Sequence, residues 1–119
     1  MSFQVIIAGT RTFTDYELLS VKCDVFFSSK QPTAIICGMA RGADLLGKRY
    51  AEENGFPVLE YPADWKHYGK KAGYLRNSQM LEVADALVAF WDGESRGTKN
   101  MIDIARNKGI PVRVVKYVG

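Results

Sequence analysis

The sequence predicts an α/β protein in which a parallel sheet is covered by helices on both faces. Three observations predict it. Short apolar runs alternate with helix-patterned segments along the whole chain. The stretches VIIA, AIIC and ALVAF are apolar throughout rather than every second residue, as strands buried on both faces are. Two junctions, "ENGFPVLEY" and "NKGIPVRVV", share one grammar: a helix end, a glycine, one apolar residue, a proline and a strand.

Phe3 to Ala8 (FQVIIA) is short and β-branched and reads as the first strand, ending at Gly9-Thr10-Arg11. Thr14 with Glu17 has capping-box form and opens a helix to about Ser29, which Gln31-Pro32 stops. Ala34 to Cys37 (AIIC) is the second strand. Arg41 to Asn54 is the second helix, with Leu45, Leu46 and Tyr50 on its inner face, and Asn54-Gly55 ends it because both residues tolerate the left-handed conformation. Pro57 to Tyr61 is the third strand. Pro62 to Gly73 reads as a loop carrying Trp65, His67, Tyr68 and Lys70-Lys71, and its lysines as solvated. Leu75 to Val83 is the third helix, Ala86 to Phe90 (ALVAF) the fourth strand and Thr98 to Asn107 the fourth helix. Lys108-Gly109 closes that helix, and Pro111 to Tyr117 is the fifth strand.

The 119 residues fit one domain, 1–119, with no linker or low-complexity stretch to divide them. At 47% hydrophobic and 24% charged residues the chain can bury a real core. A net charge of +3 without a concentrated basic stripe argues against a nucleic-acid partner. No apolar run approaches the roughly 20 residues of a membrane span, and Met-Ser-Phe-Gln does not open a signal peptide, so a cytoplasmic protein with no membrane partner is expected. Cys23 and Cys37 form no CxxC pair and His67 is the single histidine, so neither a zinc site nor any other metal site or cofactor is expected.

In an open parallel sheet, ligands bind beyond the carboxyl ends of the strands, where strand order reverses. Gly9-Thr10-Arg11 follows the first strand, Gly38-Met39-Ala40-Arg41-Gly42-Ala43-Asp44 the second, and Asp92-Gly93-Glu94-Ser95-Arg96-Gly97-Thr98 the fourth. Arg76-Asn77 opens the intervening helix. Glycines let backbone amides approach an anion, a helix N-terminus favours negative charge, and arginine adds a planar donor fork. Asp44 is suited to accept from a ribose hydroxyl pair, and Trp91, Trp65 or Tyr68 to stack on a base. That combination describes a nucleotide or a nucleotide-derived ligand. GxxxxGK[ST], GxGxxG and GxSxG are all absent, which sets aside P-loop NTPases, ordinary NAD dehydrogenases and serine hydrolases of the nucleophile-elbow type.

"IIAGTRTFTDYELL", "ICGMARGADLLGKRYAEENGFPV", "YPADWKHYGKKAGYLRNSQM" and "ADALVAFWDGESRGTKNMI" together resemble the YspA-like, cpYpsA-related family of the SLOG superfamily, over nearly the entire chain. That superfamily of Rossmann-like proteins includes the cytokinin-activating phosphoribohydrolases and the DNA-processing protein DprA. The resemblance implies a five-stranded sheet of order 3-2-1-4-5. It implies a ligand related to ADP-ribose or to a cyclic nucleotide signal, held by a sensor or sequestering protein of bacterial or phage type that forms homo-oligomers. Carried over residue by residue, the pocket is Gly9, Arg11, Gly38, Arg41, Gly42, Asp44, Arg76, Asn77, Asp92, Ser95, Gly97 and Thr98; Thr10 and Trp91 join it from the reading above.

The chain departs from the family's pattern in places. GSR reads Gly9-Thr10-Arg11, SGG reads Cys37-Gly38-Met39, and GPIRN reads Gly73-Tyr74-Leu75-Arg76-Asn77. Met39 lacks the backbone freedom of glycine. The phosphoribohydrolases carry acidic residues just after their GT, where this chain has Lys99 and Asn100. This favours binding over catalysis. Hydrolysis of an N-glycosidic or phosphoester bond is the alternative, with Asp44 and Asp92 as catalytic candidates and Glu94 and Asp103 nearby in sequence. Single-stranded nucleic-acid binding, as in DprA, is a second alternative.

Overall fold

A computed structural model describes residues 2–118. Strands β1 (Gln4–Gly9), β2 (Ala34–Cys37), β3 (Val58–Glu60), β4 (Ala86–Trp91) and β5 (Val112–Lys116) form one sheet of order β3-β2-β1-β4-β5. Every pairing is parallel, with Val5 opposite both Ile35 and Ala86. Alternation along the central strand splits the core in two. Val5 and Ile7 point into a cluster with Leu19, Cys23, Tyr50 and Phe90, under helices α1 (Tyr16–Phe26) and α2 (Ala43–Glu53). Ile6 and Ala8 point the other way, onto Met80, Met101, Ile102 and Ala105 of α4 (Ala72–Val83) and α5 (Arg96–Lys108). Helices therefore cover both faces, as the apolar strands require.

The expected grammar of the αβ junctions holds. Gly55 and Gly109 both take left-handed φ, +75° and +85°, immediately past the ends of α2 and α5. Four local expectations are corrected. Leu45, expected on the inner face of α2, is exposed, and Gly47 and Ala51 share that face with Tyr50 instead. The cap of α1 is Asp15 rather than Thr14, its carboxylate accepting the Leu18 amide at 3.0 Å. That helix ends at Phe26, short of Ser29, where the Ser28 amide turns back to the Val25 carbonyl. The segment read as a loop between β3 and the next helix holds α3 (Trp65–Tyr68) and a 3-10 turn (Gly69–Lys71), and α4 starts at Ala72 rather than Leu75. Asp64 caps α3 through the His67 amide at 3.1 Å.

Helix α2 sits unusually close to the sheet. A β-carbon on Gly47 would fall 2.6 Å from Ile7 Cγ2. This contact sets the height of α2 above β1 and, with it, the position of Asp44 in the first turn. The two cysteines are buried and free, and burial pushes both thiols up to about 12, so neither is a reactive thiolate at neutral pH. Among the described residues no helix is long and apolar enough to cross a membrane.

Candidate functional site

The strand order reverses between β1 and β4, and a cleft of about 450 Å³ opens at their carboxyl ends. Ten of the residues expected from the sequence line it: Gly9, Thr10, Arg11, Asp44, Arg76, Asn77, Asp92, Ser95, Gly97 and Thr98. Gly38, Arg41, Gly42 and Trp91 do not. Gly38 and Gly42 act from behind the wall. Arg41 is exposed on the loop before α2, away from the cleft lining.

The end of β1 is held by backbone bonds from three directions. The Thr10 amide donates to the Phe90 carbonyl at 2.9 Å, and the Thr10 carbonyl accepts the Phe13 and Ala43 amides, each at 3.2 Å. Its hydroxyl oxygen accepts the Asp92 amide at 3.2 Å, tying the β1 turn to the β4 turn. A side chain on Gly9 would overlap the Phe90 carbonyl and lie 2.8 Å from the Ala43 β-carbon, so only glycine lets β1, β4 and α2 meet here. At Gly42, φ is +83° and a β-carbon would overlap the Thr10 and Arg11 carbonyls.

Asp44 and Arg76 form the charged floor. They are 5% and 8% exposed. Asp44 Oδ2 accepts the Ala40 amide at 3.2 Å. Burial pushes its carboxyl up to about 6, against the opposing pull of the Arg76 guanidinium, the Ala40 and Gly9 amides and Arg11. Arg76 donates from Nη1 to the Gly38 carbonyl and from Nε to Asn77 Oδ1 at 3.1 Å. Nη2 has no acceptor among the described residues. Burial also lowers the guanidinium's pKa, with the Asp44 charge opposing that shift. Gly38 separates the two charges: a β-carbon there would come 2.7 Å from Asp44 Oδ2 and 2.8 Å from Arg76 Nη1. Met39 adopts φ +65°, the left-handed backbone that glycine takes without penalty.

The end of β4 turns on Asp92. One carboxylate oxygen accepts the Glu94 and Ser95 amides, both at 2.9 Å, and those amides hold the carboxyl below its usual range. The chain then enters α5, with Ser95 as cap to the Thr98 amide at 3.4 Å. Asn77 reaches this turn from α4, donating to the Gly97 carbonyl at 3.3 Å and to Asn100 Oδ1 at 3.1 Å. The Arg96 and Gly97 amides find no acceptor among the described residues, and a β-carbon on Gly97 would meet nothing within 4 Å. The first turn of α5 therefore offers free N–H groups and the positive end of a helix dipole to the cleft.

The stacking expectation for Trp91 is corrected. It does not line the cleft: its Nε1 donates to the Ser95 carbonyl at 3.1 Å, and its ring packs against the cluster of Ile6, Met80 and Met101 under α4 and α5. Of the three aromatic candidates, Trp65 lines the cleft and Tyr68 does not. The cleft also takes in Lys70 and Tyr74, which the sequence reading left out of the site. Lys70 comes from the segment read as loop and Tyr74 directly follows it, so Lys70 is not simply solvated. The one local signal was Asp64, placed to cap a helix three residues on. Of the further acidic candidates, Asp103 pairs with Lys99 at 2.8 Å on the exposed side of α5 and Glu94 is exposed; neither lines the cleft. Among the described residues no group of three or more His, Cys, Asp or Glu is placed to hold a metal ion.

The model of the YspA, cpYpsA-related SLOG family matches residues 3–68, from β1 through α3. The chain belongs to that family. A relative of this SLOG chain, the "Gene 61 protein" of Mycobacterium phage D29, is 37% identical over 116 residues, covering 92% of this chain and 93% of the phage protein. The family match ends before α4, and the phage relative carries the similarity on through the second half of the SLOG fold, where Arg76, Asn77 and the Asp92–Thr98 turn lie.

Proposed function

We propose that the cleft binds a nucleotide-derived ligand, with a phosphate at the first turn of α5, and that the protein serves as a sensor or sequestering protein for it. The observation that carries this reading is the pair of free amides at Arg96 and Gly97, beside open space where any other residue would put a side chain. Helix N-termini with glycine at the contact hold phosphate oxygens well. Arg76 supports the reading from the floor, because two of its nitrogens are committed to Gly38 and Asn77 while Nη2 is left to a ligand. Arg11 adds a second cation at the rim. SLOG membership supports nucleotide-related binding in general, and the ADP-ribose-like or cyclic-nucleotide character of the ligand belongs to the proposal.

The test is retention. The protein is incubated with NAD, ADP-ribose, its cyclic forms, cyclic dinucleotides and nucleoside monophosphates, freed of unbound material and denatured, and the released compounds are identified by mass. An intact compound is the expected result. A protein that retains nothing overturns the reading.

Asp44 supports a second reading, hydrolysis of a bond at the ligand's sugar. Its carboxyl, near 6 on the cleft floor, is placed to transfer a proton near neutral pH, whereas Asp92 is held ionised by backbone amides. Consumption of one compound from the pool, lost in Asp44→Asn while binding persists, is the expected sign. An undiminished pool after long incubation removes this reading and leaves the first.

A further inference from the structure

Trp65 is 47% exposed, yet it is not loose. It opens α3, whose first turn is fixed by the Asp64 cap. One edge of its indole rests on the start of α4, where a β-carbon on Gly73 would lie 3.3 Å from Cη2. The Arg11 guanidinium lies over the ring, 5.3 Å from its centroid. A large aromatic ring thus stands in the cleft wall, seated on the start of α4 and about half open to the cleft.

Its neighbours set an order of chemistry along the cleft. Behind Trp65 comes Arg76, whose Nη2 would be 3.8 Å from the same Gly73 β-carbon. Arg76 bonds Asn77, and Asn77 bonds the Gly97 carbonyl at the first turn of α5. From one end to the other the wall runs from aromatic ring, through buried cation and carboxylate, to free amides. A heterocycle, a hydroxylated sugar and a phosphate follow each other in that order in a nucleotide.

We propose that Trp65 is the platform for the ligand's base, which shares the ring with the overlying Arg11 guanidinium, so that the cleft selects a nucleotide with its base attached over the corresponding sugar phosphate. The proposal rests on the nucleotide reading of the cleft. An indole face suits a flat, polarisable heterocycle, and a guanidinium beside it stacks on such rings as well. Stacking alone tolerates any base, so the selection is for the presence of a ring and only weakly for its identity.

The experiment compares AMP with ribose 5-phosphate by calorimetry and by tryptophan fluorescence. Wild-type protein is expected to bind AMP about tenfold or more tightly than ribose 5-phosphate. AMP quenches indole emission, and the quench disappears in Trp65→Phe, which keeps Trp91. Trp65→Ala should bring the AMP affinity down to that of ribose 5-phosphate and leave the latter unchanged, while Trp65→Phe keeps most of the preference. Equal affinities in the wild type, or an AMP preference that survives Trp65→Ala, overturn the platform and leave the phosphate site standing. Failure of both probes to bind the wild type overturns the nucleotide reading and the platform with it.

Discussion

Asp44 and Arg76 converge on one point beside Gly38: a β-carbon there would lie 2.7 Å from Asp44 Oδ2 and 2.8 Å from Arg76 Nη1. Glycine at this position lets a buried acid and a buried base share the cleft floor without a side chain between them. Gly38→Ala must displace at least one of the two. It is expected to cost about 1–3 kcal/mol of stability, as overpacking does, and to weaken nucleotide binding more than any change at the exposed Arg41. Urea unfolding and ligand titration of the same variant measure both effects.

The pH dependence of folding should carry the signature of Asp44. Its folded-state carboxyl lies near 6 against an ordinary value of 3.8. As pH rises through that window the unfolded chain releases the proton and the folded chain keeps it, so stability falls, and it levels off above about 6. The interval corresponds to about 3 kcal/mol. Asp44→Asn removes this fall, so the variant should be at least as stable as wild type at neutral pH. Unfolding curves of the two proteins from pH 3 to 7 compare them; parallel curves would mean that Asp44 titrates normally.

Gly97→Ala separates binding from folding. A β-carbon there meets nothing within 4 Å, and alanine is the better helix former by up to about 1 kcal/mol. Thermal stability is therefore expected to hold or rise. Phosphate-bearing ligands should bind at least severalfold more weakly, because the methyl group occupies the approach to the free amides. A variant that binds normally would move the phosphate elsewhere.

Gly47→Ala should act on the site from a distance. The added methyl falls 2.6 Å from Ile7 Cγ2 and lifts α2 from β1. A loss of about 1–3 kcal/mol is expected, accompanied by weaker binding because Asp44 rides on the first turn of α2. Chemical-shift changes at Asp44 in the variant would report that displacement directly.

The sheet was legible because its information is local and redundant. The central strands are short apolar runs, and the phrase ending in glycine, one apolar residue and proline marks both αβ junctions, which lead into the edge strands. The glycine- and arginine-bearing turns were legible for a related reason: they follow the strands, and strand order alone brings them to one edge. The part that Lys70 and Tyr74 take in the cleft wall was not, although Trp65 stood among the stacking candidates. A four-residue helix and a 3-10 turn have no measurable period, so 62–73 reads as loop until Asp64 is seen capping His67. Trp91 misled for the opposite reason. Its place at a strand end suggests a ligand, but its N–H is consumed by the Ser95 carbonyl. Nor does the sequence reveal that Arg76 is largely committed to Gly38 and Asn77, which makes Arg76→Ala a structural lesion as well as a loss of ligand contact.

Strand β1 lies at the middle of the sheet, between β2 and β4, and Val5 pairs across to Ala86. A ribosome making this chain at about 5–20 residues per second therefore completes β1 roughly 4–16 s before its second neighbour exists. Until then a largely apolar strand has β2 on one edge and an open row of amides and carbonyls on the other. The nascent protein is most vulnerable to clumping in that interval, and a chaperone that masks QVIIA would be of most use to it before residue 86 leaves the exit tunnel.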